Sequence, residues 1–448
     1  MEQADGQKKR TLRKALIILG WILLWQVIAW IVHNPVFFAG PAESAAELVR
    51  QAGSAVFWKA VLGSYVRILA GFLPAAAAAW LLAYAARRFA LAEEVLAPFV
   101  SFLRSVPVAA VVVVFLIWSG PEYLVFYISF MVVFPNLYAN LLTGLQKTDP
   151  KMLEMARAFR MPLPVRLRCI DRPACLPYLR AALTHAVGMS FKAGIAAEII
   201  ALPEHAIGTR LYMDKIYLNT AGVFAWMAVV VLLGFVTEKA MVSLAGAGLV
   251  PKVTAKQVPL VPAKELRWPA LQKRYADGTV VELPQGSVAP GERLCLMGAS
   301  GSGKTTLLHI LAGLMPAEEG WCGSGRAAVC FQEDRLWGAA DGEVNLWMAG
   351  CDLRNAEERY RLLPEELWKK PVDCLSGGER RRVTMARAVL SPSECLLLDE
   401  PFTGLDEESK KTAAEWVLRQ QNGRPILVTT HDEEDAALLH AKRMDTGI

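Results

Sequence analysis

The chain has 448 residues, 54% of them hydrophobic and 20% charged, with a formal net charge of +5. That length allows two or more domains, and long apolar runs confined to the first half exclude a wholly soluble or disordered chain. Residues 1–250 carry 23 Lys and Arg against 14 Asp and Glu, the remainder 25 against 29, so a basic apolar half precedes a slightly acidic one with the mixed texture of an α/β domain.

The run Ala15–His33, "ALIILGWILLWQVIAWIVH", approaches the ~20 residues needed to cross a bilayer. It is too long and too rich in Trp for a cleaved leader, and no small-residue cleavage site comes directly after it, so it is expected to stay as an anchor. Further spans are expected near Val66–Ala86, Leu96–Trp118, Tyr123–Leu145, Leu183–Leu202 and Val223–Met241, the third interrupted by Pro98, Arg104 and Pro107. The N-terminal half therefore reads as an all-α transmembrane domain of about six spans over residues 1–245.

Basic residues set its orientation. Lys8, Lys9, Arg10, Arg13 and Lys14 precede the first span, Arg87 and Arg88 follow the second, and Lys147 and Lys151 follow the fourth. Six alternating spans put all of them on one side, the cytoplasm, together with both termini. The eight cysteines begin at Cys169, all at positions this topology makes cytoplasmic, and none forms a CxxC pair that would point to zinc or redox chemistry.

Between the fourth and fifth spans lies "LEMARAFRMPLPVRLRCIDRP" (Leu153–Pro173), with five arginines and three prolines. A basic loop that only fixes topology is one reading of it. In the fifth span Lys192 and Glu198 are six positions apart, roughly 120° around a helix, so they form no i,i+4 pair. Intramembrane ionisable groups are functional suspects, yet for Glu198 a structural contact is the favoured expectation.

A Pro-containing linker, residues 246–265, leads into a soluble domain, residues 266–448. There an apolar strand, Leu294–Met297, runs into Gly298-Ala299-Ser300-Gly301-Ser302-Gly303-Lys304-Thr305-Thr306 and a segment of helical apolar spacing. Glycines let backbone N–H groups close around phosphate oxygens, and the adjoining helix N-terminus favours their charge. Lys304 would reach the β- and γ-phosphates of a nucleoside triphosphate and Thr305 would ligate Mg²⁺. About a hundred residues on, "ECLLLDEPF" delivers Asp399 and Glu400 at the end of another apolar strand. Alone, such a pair is more often a cap or a solvated turn; beside a phosphate loop, Asp399 suits the metal and Glu400 suits polarising a water.

Just upstream of that strand, "CLSGGERRRVTMARAVL" contains Leu375-Ser376-Gly377-Gly378-Glu379. This resembles the signature segment of ATP-binding-cassette (ABC) ATPases, where Gln or a similar residue usually stands last. The resemblance covers residues 266–448 and implies an α/β P-loop ATPase. It matches Gln332 in "VCFQEDRLW" to the Q-loop, with a place in the Mg²⁺ shell; Asp406 in "TGLD" to the D-loop; and His431 in "LVTTHD" to the switch histidine. Tyr275 resembles the aromatic residue that stacks on adenine, although a surface position suits a strand tyrosine equally. The resemblance further implies an ATP- and Mg²⁺-dependent enzyme working as a head-to-tail dimer, in which Ser376, Gly377, Gly378 and Glu379 of one subunit face the ATP held by the other. Relative to the family, the segments Met315–Gln332 and Val344–Asp373 are short.

The arginine-rich stretch then resembles the cytoplasmic loop of bacterial importer permeases through Glu154, Ala156, Ala158, Ile170 and Pro173, with Arg160 replacing a glycine and Arg172 a leucine. In that family the loop is a short helix docked on the ATPase near the Q-loop, with Ala156 and Ala158 on its packing side. Residues 35–245, including Ser64, Arg67 and Gly71 in "SYVRILAGF" and the segment "AAEIIALPEHAIGTRLY", are similar to type I permeases for nitrate, sulfonate, taurine and pyrimidine precursors. The implied protein is a fused, homodimeric importer of the bacterial inner membrane, in contact with lipid and its solute, fed by an external binding protein and without a nucleic-acid partner. A half-size exporter and an ATP-binding regulator without transport are the alternatives.

Overall fold

The computed structural model describes residues 2–253, 258–259, 261–299, 301–323, 325–354 and 356–445, with side chains from Leu12 to Met444. Ser300 of the glycine-rich loop, and residues 254–257 and 260 of the linker, lie outside the described residues. By its internal contacts the chain divides into two compact units, residues 1–147 with 175–247 and residues 148–174 with 248–448.

The helices as far as the linker are, in chain order, α1 (Glu2–Val32), α2 (Pro41–Ala52), α3 (Ala55–Arg88), α4 (Ala90–Ser105), α5 (Val108–Gln146), α6 (Pro150–Ala158), α7 (Leu163–Arg166), α8 (Arg172–Ala201), α9 (Ile207–Ile216) and α10 (Thr220–Gly246). Local chemistry fixes several ends. Ser54 caps α3 by accepting the Phe57 N–H at 3.2 Å, and Gly40 and Glu43 close a capping interaction at α2, which has Pro41 in its first turn.

The first unit is built on the pairing of α3 with α5. Buried Ala75, Ala79, Ala83 and Ala86 form a narrow stripe on α3, and a Cβ on Gly71 would lie 2.4 Å from the Phe126 carbonyl oxygen. Small residues thus let the two backbones approach where no hydrophobic drive separates protein from lipid. Ile68, Phe72, Leu124, Ile128, Phe134 and Leu137 fill the core around that contact.

The expected third span, Leu96–Trp118, is not one helix. α4 stops at Ser105, and Val106 is extended (φ −71°, ψ 126°), as the residue before a proline is driven to be. α5 restarts at Val108 and is itself broken at Gly120, whose φ of 74° and ψ of 177° precede Pro121. Among the described residues, four segments are long and apolar enough to cross a membrane by length and composition: Leu12–Val32, α3, α5 and α10. The expected fifth span, Leu183–Leu202, lies in α8 apart from Leu202, which follows the helix end at Ala201.

Glu198 of α8 is fully buried. Its Oε2 accepts from Ser64 Oγ at 2.7 Å and from the Gly208 N–H at 2.9 Å, while Arg67 sits 3.9 Å from Oε1 and pairs with Glu122 at 2.6 Å. A Cβ on Gly208 would come 2.3 Å from the Glu198 Cβ, so glycine is what allows the approach. Residues from two separated motifs meet in this cluster, which has the character of a structural clamp.

In the second unit, five parallel strands are ordered β6-β7-β8-β5-β9, with β5 Arg293–Met297, β6 Ala327–Cys330, β7 Cys395–Asp399, β8 Ile426–Thr429 and β9 Lys442–Asp445. β6, β7 and β8 are buried along their whole length, matching their unbroken apolar sequences and the two covered faces of a parallel sheet. Two antiparallel pairs precede them in the chain: β1 (Leu266–Trp268) with β4 (Gly286–Val288), and β2 (Leu271–Arg274) with β3 (Val280–Leu283). The sheet is accompanied by α11 (Lys304–Leu311), α12 (Gly342–Met348), α13 (Ala356–Leu362), α14 (Glu365–Trp368), α15 (Gly377–Leu390), α16 (Glu407–Gln420) and α17 (Glu433–Leu438). Helix α6 belongs to this unit. Met155, Ala156 and Ala158 are buried in the same apolar cluster as Leu307, Phe331 and Trp337.

Candidate nucleotide site and the loop that packs beside it

Strands β5, β7 and β8 are neighbours, so the segments leaving their carboxyl ends converge, as they do wherever parallel sheets build sites. After β5 the chain turns through Gly301 (φ 87°) and Gly303 (φ 84°), conformations that glycine adopts without strain, before α11 begins at Lys304. Gly303 is also packed tightly: a Cβ there would be 2.2 Å from Val281 Cγ1 of β3. Lys304 Nζ donates to the carbonyls of Gly298 and Ala299 at 2.7 and 2.8 Å and lies 3.4 Å from Ser302 Oγ.

Thr305 Oγ1 donates to Asp399 Oδ2 at 2.9 Å, and Thr429 Oγ1 of β8 donates to the other carboxylate oxygen at 2.6 Å. A hydroxyl and a carboxylate, oxygen donors both, thus meet at the start of α11, the donor type that Mg²⁺ takes. Gln332 comes after β6 and is exposed. His431, directly beyond Thr430 at the end of β8, has Nδ1 3.2 Å from Glu400 Oε1. Glu400 has a φ of 43°, a left-handed backbone that a residue other than glycine holds only when its surroundings impose it. Tyr275, in the β2–β3 hairpin, exchanges a hydrogen bond between its hydroxyl and Thr306 at 2.8 Å, beside the loop.

The Ser376–Glu379 segment opens α15 as a reciprocal cap. Ser376 Oγ accepts the Glu379 N–H at 3.3 Å and Glu379 Oε2 accepts the Ser376 N–H at 2.7 Å. A capping box accepts Gln or Glu at its fourth position, so glutamate here keeps the local geometry. The Ser376 N–H holds the Glu379 carboxyl below the usual range. Asp406 is likewise an N-cap, accepting from Ser409 N–H at 2.8 Å at the head of α16. The Asp432 carboxylate beside Lys410 raises that ammonium above the ordinary lysine range, with Asp435 adding to it.

Helix α6 packs against the residues just past Gln332. Arg335 Nη1 donates to Glu154 Oε2 at 2.9 Å, Lys151 pairs with Glu333 at 2.6 Å, and the Arg335 guanidinium lies 3.9 Å over the Phe331 ring. Phe159 in turn faces the guanidinium of Arg387, 5.4 Å from its ring centre. Burial pushes that guanidinium down to about 10. Arg160, just past the end of α6, has a φ of 48° and donates to the Gly325 carbonyl at 3.0 Å. This is the left-handed position where a helix usually ends in glycine, a physical reason for the glycine that the permease loop pattern carries there. Pro173 sits in the first turn of α8, behind a π-helical turn at Leu167–Asp171.

Sequence reading missed Thr429, Arg335 and Arg381. Only Arg381 left a trace: it shares a helical face with Met385 and Ala388, all buried, which marks the middle arginine of "ERRRV" as core-facing.

Comparison with known proteins places this geometry. The family model described as "ABC transporter" matches residues 284–403. The aliphatic sulfonates import ATP-binding protein SsuB of Corynebacterium glutamicum is 38% identical over 202 residues, 42% of this chain and 82% of the relative. SsuB 1 of Pseudomonas fluorescens is 38% identical over 183 residues, 38% of this chain and 68% of the relative. SsuB 3 of Nocardia farcinica is 42% identical over 165 residues, 34% of this chain and 64% of the relative. A glycine-rich turn, paired carboxylates and a reciprocally capped helix on one parallel sheet, with 38% identity to an import ATPase over 82% of its length, establish that this chain belongs to the ABC transporter family and carries its ATPase domain.

Proposed function

We propose that the chain is one half of an ATP-driven importer, with a permease in residues 1–245, a linker in 246–265 and an ATPase in 266–448. The observation that carries this reading is the packing of Glu154 in the permease-type loop against Arg335, three residues beyond Gln332. An ATPase acting alone has no need of such a loop.

In this reading the backbone N–H groups from Gly298 to Thr306 and the Lys304 ammonium hold the β- and γ-phosphates, and Tyr275 meets the adenine. Thr305, Gln332 and Asp399 would hold Mg²⁺, whose charge would offset that of the phosphates. Glu400 polarises the attacking water and His431, hydrogen-bonded to it, keeps its carboxylate oriented. Ser376, Gly377, Gly378 and Glu379 meet the ATP of a second copy, with Asp406 beside the shared interface. Closure around ATP shifts the segment after Gln332, and the helix Glu154–Ala158 carries that shift toward the spans.

The relatives named for aliphatic sulfonate import favour a small sulfonate-type solute; nitrate, taurine and pyrimidine precursors share the permease resemblance. Two copies in the bacterial plasma membrane, with the ATPase on the cytoplasmic side and an external binding protein delivering the solute, complete the assembly. Glu400→Gln tests the chemistry: hydrolysis should fall by a factor of about 10²–10⁴, the range of a general base, with ATP binding kept. Unchanged turnover in the variant would refute the assignment.

A further inference from the structure

Arg381 lies in the first half of α15, five residues beyond Ser376, with a side chain only 3% exposed. Its three nitrogens make five hydrogen bonds, all to backbone carbonyls. Nε donates to Pro401 at 2.9 Å; Nη1 to Phe331 and Gln332 at 2.6 and 3.1 Å; Nη2 to Asp399 and Glu400 at 2.7 and 2.6 Å. The nearest carboxylate, Asp334, is 3.8 Å away. A desolvated charge held chiefly by carbonyls is costly to keep, and one guanidinium bridging the ends of β6 and β7 uses the rigid fork that only arginine has.

Among the segments it joins, one is strained. Glu400 holds its φ of 43° while its N–H donates to the Thr429 carbonyl at 2.9 Å and its own carbonyl accepts from Arg381 at 2.6 Å and from the Thr403 N–H at 3.3 Å. Without Arg381, that longer turn contact is what remains among the described residues to hold the carbonyl against relaxation toward the right-handed region, which would swing the carboxylate away from His431. We infer that Arg381 is a positioning residue that locks the Glu400 backbone and the Gln332 carbonyl to the signature helix, so that the two halves of neighbouring ATP sites contributed by one subunit move as a single piece. The inference rests on the ATPase reading above but concerns a residue outside the proposed nucleotide-binding and catalytic set, its hydrogen bonds going to backbone carbonyls.

The test is steady-state hydrolysis and equilibrium ATP binding by the full-length, reconstituted chain carrying Arg381→Lys or Arg381→Gln. Lysine keeps the charge and most of the volume but, as a point charge, cannot span both strand ends. The expected result is kcat at least tenfold lower in both variants, ATP affinity within twofold of the parent, and lysine no better than glutamine. A kcat within twofold of the parent in either folded variant would overturn the inference. So would a parallel loss of affinity and kcat, or loss of the fold in both variants, since each marks general support of the domain. An inactive parent that still binds ATP would instead overturn the hydrolysis reading.

Discussion

Replacing Glu154 by alanine should loosen α6 without unfolding the ATPase. Its partner Arg335 has a side chain 9% exposed, whereas Glu154 is 35% exposed, so the pair lies between a surface ion pair, worth about 0.2–1 kcal/mol, and a buried one, whose breaking costs about 3–5 kcal/mol. A charge-assisted hydrogen bond of 2.9 Å, discounted for the wet carboxylate, gives about 2 kcal/mol. The pair Lys151–Glu333 has both side chains about half exposed and should contribute under about 0.5 kcal/mol. Native-state amide exchange separates the two. The Phe159 and Met161 amides, bonded to the Met155 and Ala156 carbonyls, should exchange about 30-fold faster in Glu154→Ala, since about 1.4 kcal/mol is a factor of ten. In Lys151→Met the change should stay within about threefold. Arg335→Met combined with Glu154→Ala should be clearly less than additive. Exchange unchanged within twofold in Glu154→Ala would mean that the Glu154–Arg335 pair contributes nothing and that α6 is held by its apolar side alone.

The same geometry makes three further predictions. Glu379→Gln should preserve the cap of α15, while Glu379→Ala should cost about 1 kcal/mol in thermal unfolding. Because the Glu379 carboxyl titrates below its usual range, the difference between parent and alanine variant should be complete above pH ~4.3 and shrink as pH falls through the lowered value; a difference that grows in acid would contradict the cap. Maleimide labelling of the folded chain at pH 8 should modify exposed Cys374 first. Burial pushes the Cys169 and Cys295 thiols up to about 11 and those of Cys351 and Cys395 up to about 12, so those four should stay silent even at pH 9, until denaturant is added. Rapid labelling of any of them in the native protein would be the contrary result. Finally, Gly208→Ala, whose Cβ would lie 2.3 Å from the Glu198 Cβ, should lower stability by about 2 kcal/mol or more. Gly188→Ala in α8, with nothing within 4 Å, should be neutral or stabilising by up to about 1 kcal/mol. Detergent thermal-shift measurements on the two variants decide this.

The most legible parts of the chain were those whose chemistry is local. Gly301 and Gly303 stand where positive φ is needed, Ser376 and Glu379 at the spacing of a capping box, and Asp399 at the end of an all-buried strand. Helix breaks were half visible: Pro107 flagged an interruption, but the apolar run across it invited one continuous span, and the kink at Gly120 carries no signal beyond Gly-Pro. Long-range polar pairing was illegible. Nothing in the spacing of Ser64, Glu198 and Gly208 announces that they meet, and the helical face that Arg381 shares with Met385 and Ala388 marks it as core-facing without announcing its five carbonyl partners.

Import is the claim that the remaining assignments serve, and it is tested most directly by ATP hydrolysis of the chain reconstituted in lipid vesicles. Turnover would be measured with and without candidate external binding proteins, each loaded from a panel of sulfonates, nitrate, taurine and pyrimidine precursors. One loaded binding protein is expected to stimulate hydrolysis, and the same solute to move from the membrane face opposite the ATPase to the ATPase face. Basal hydrolysis that no loaded binding protein alters, with solute moving the opposite way or not at all, would contradict import.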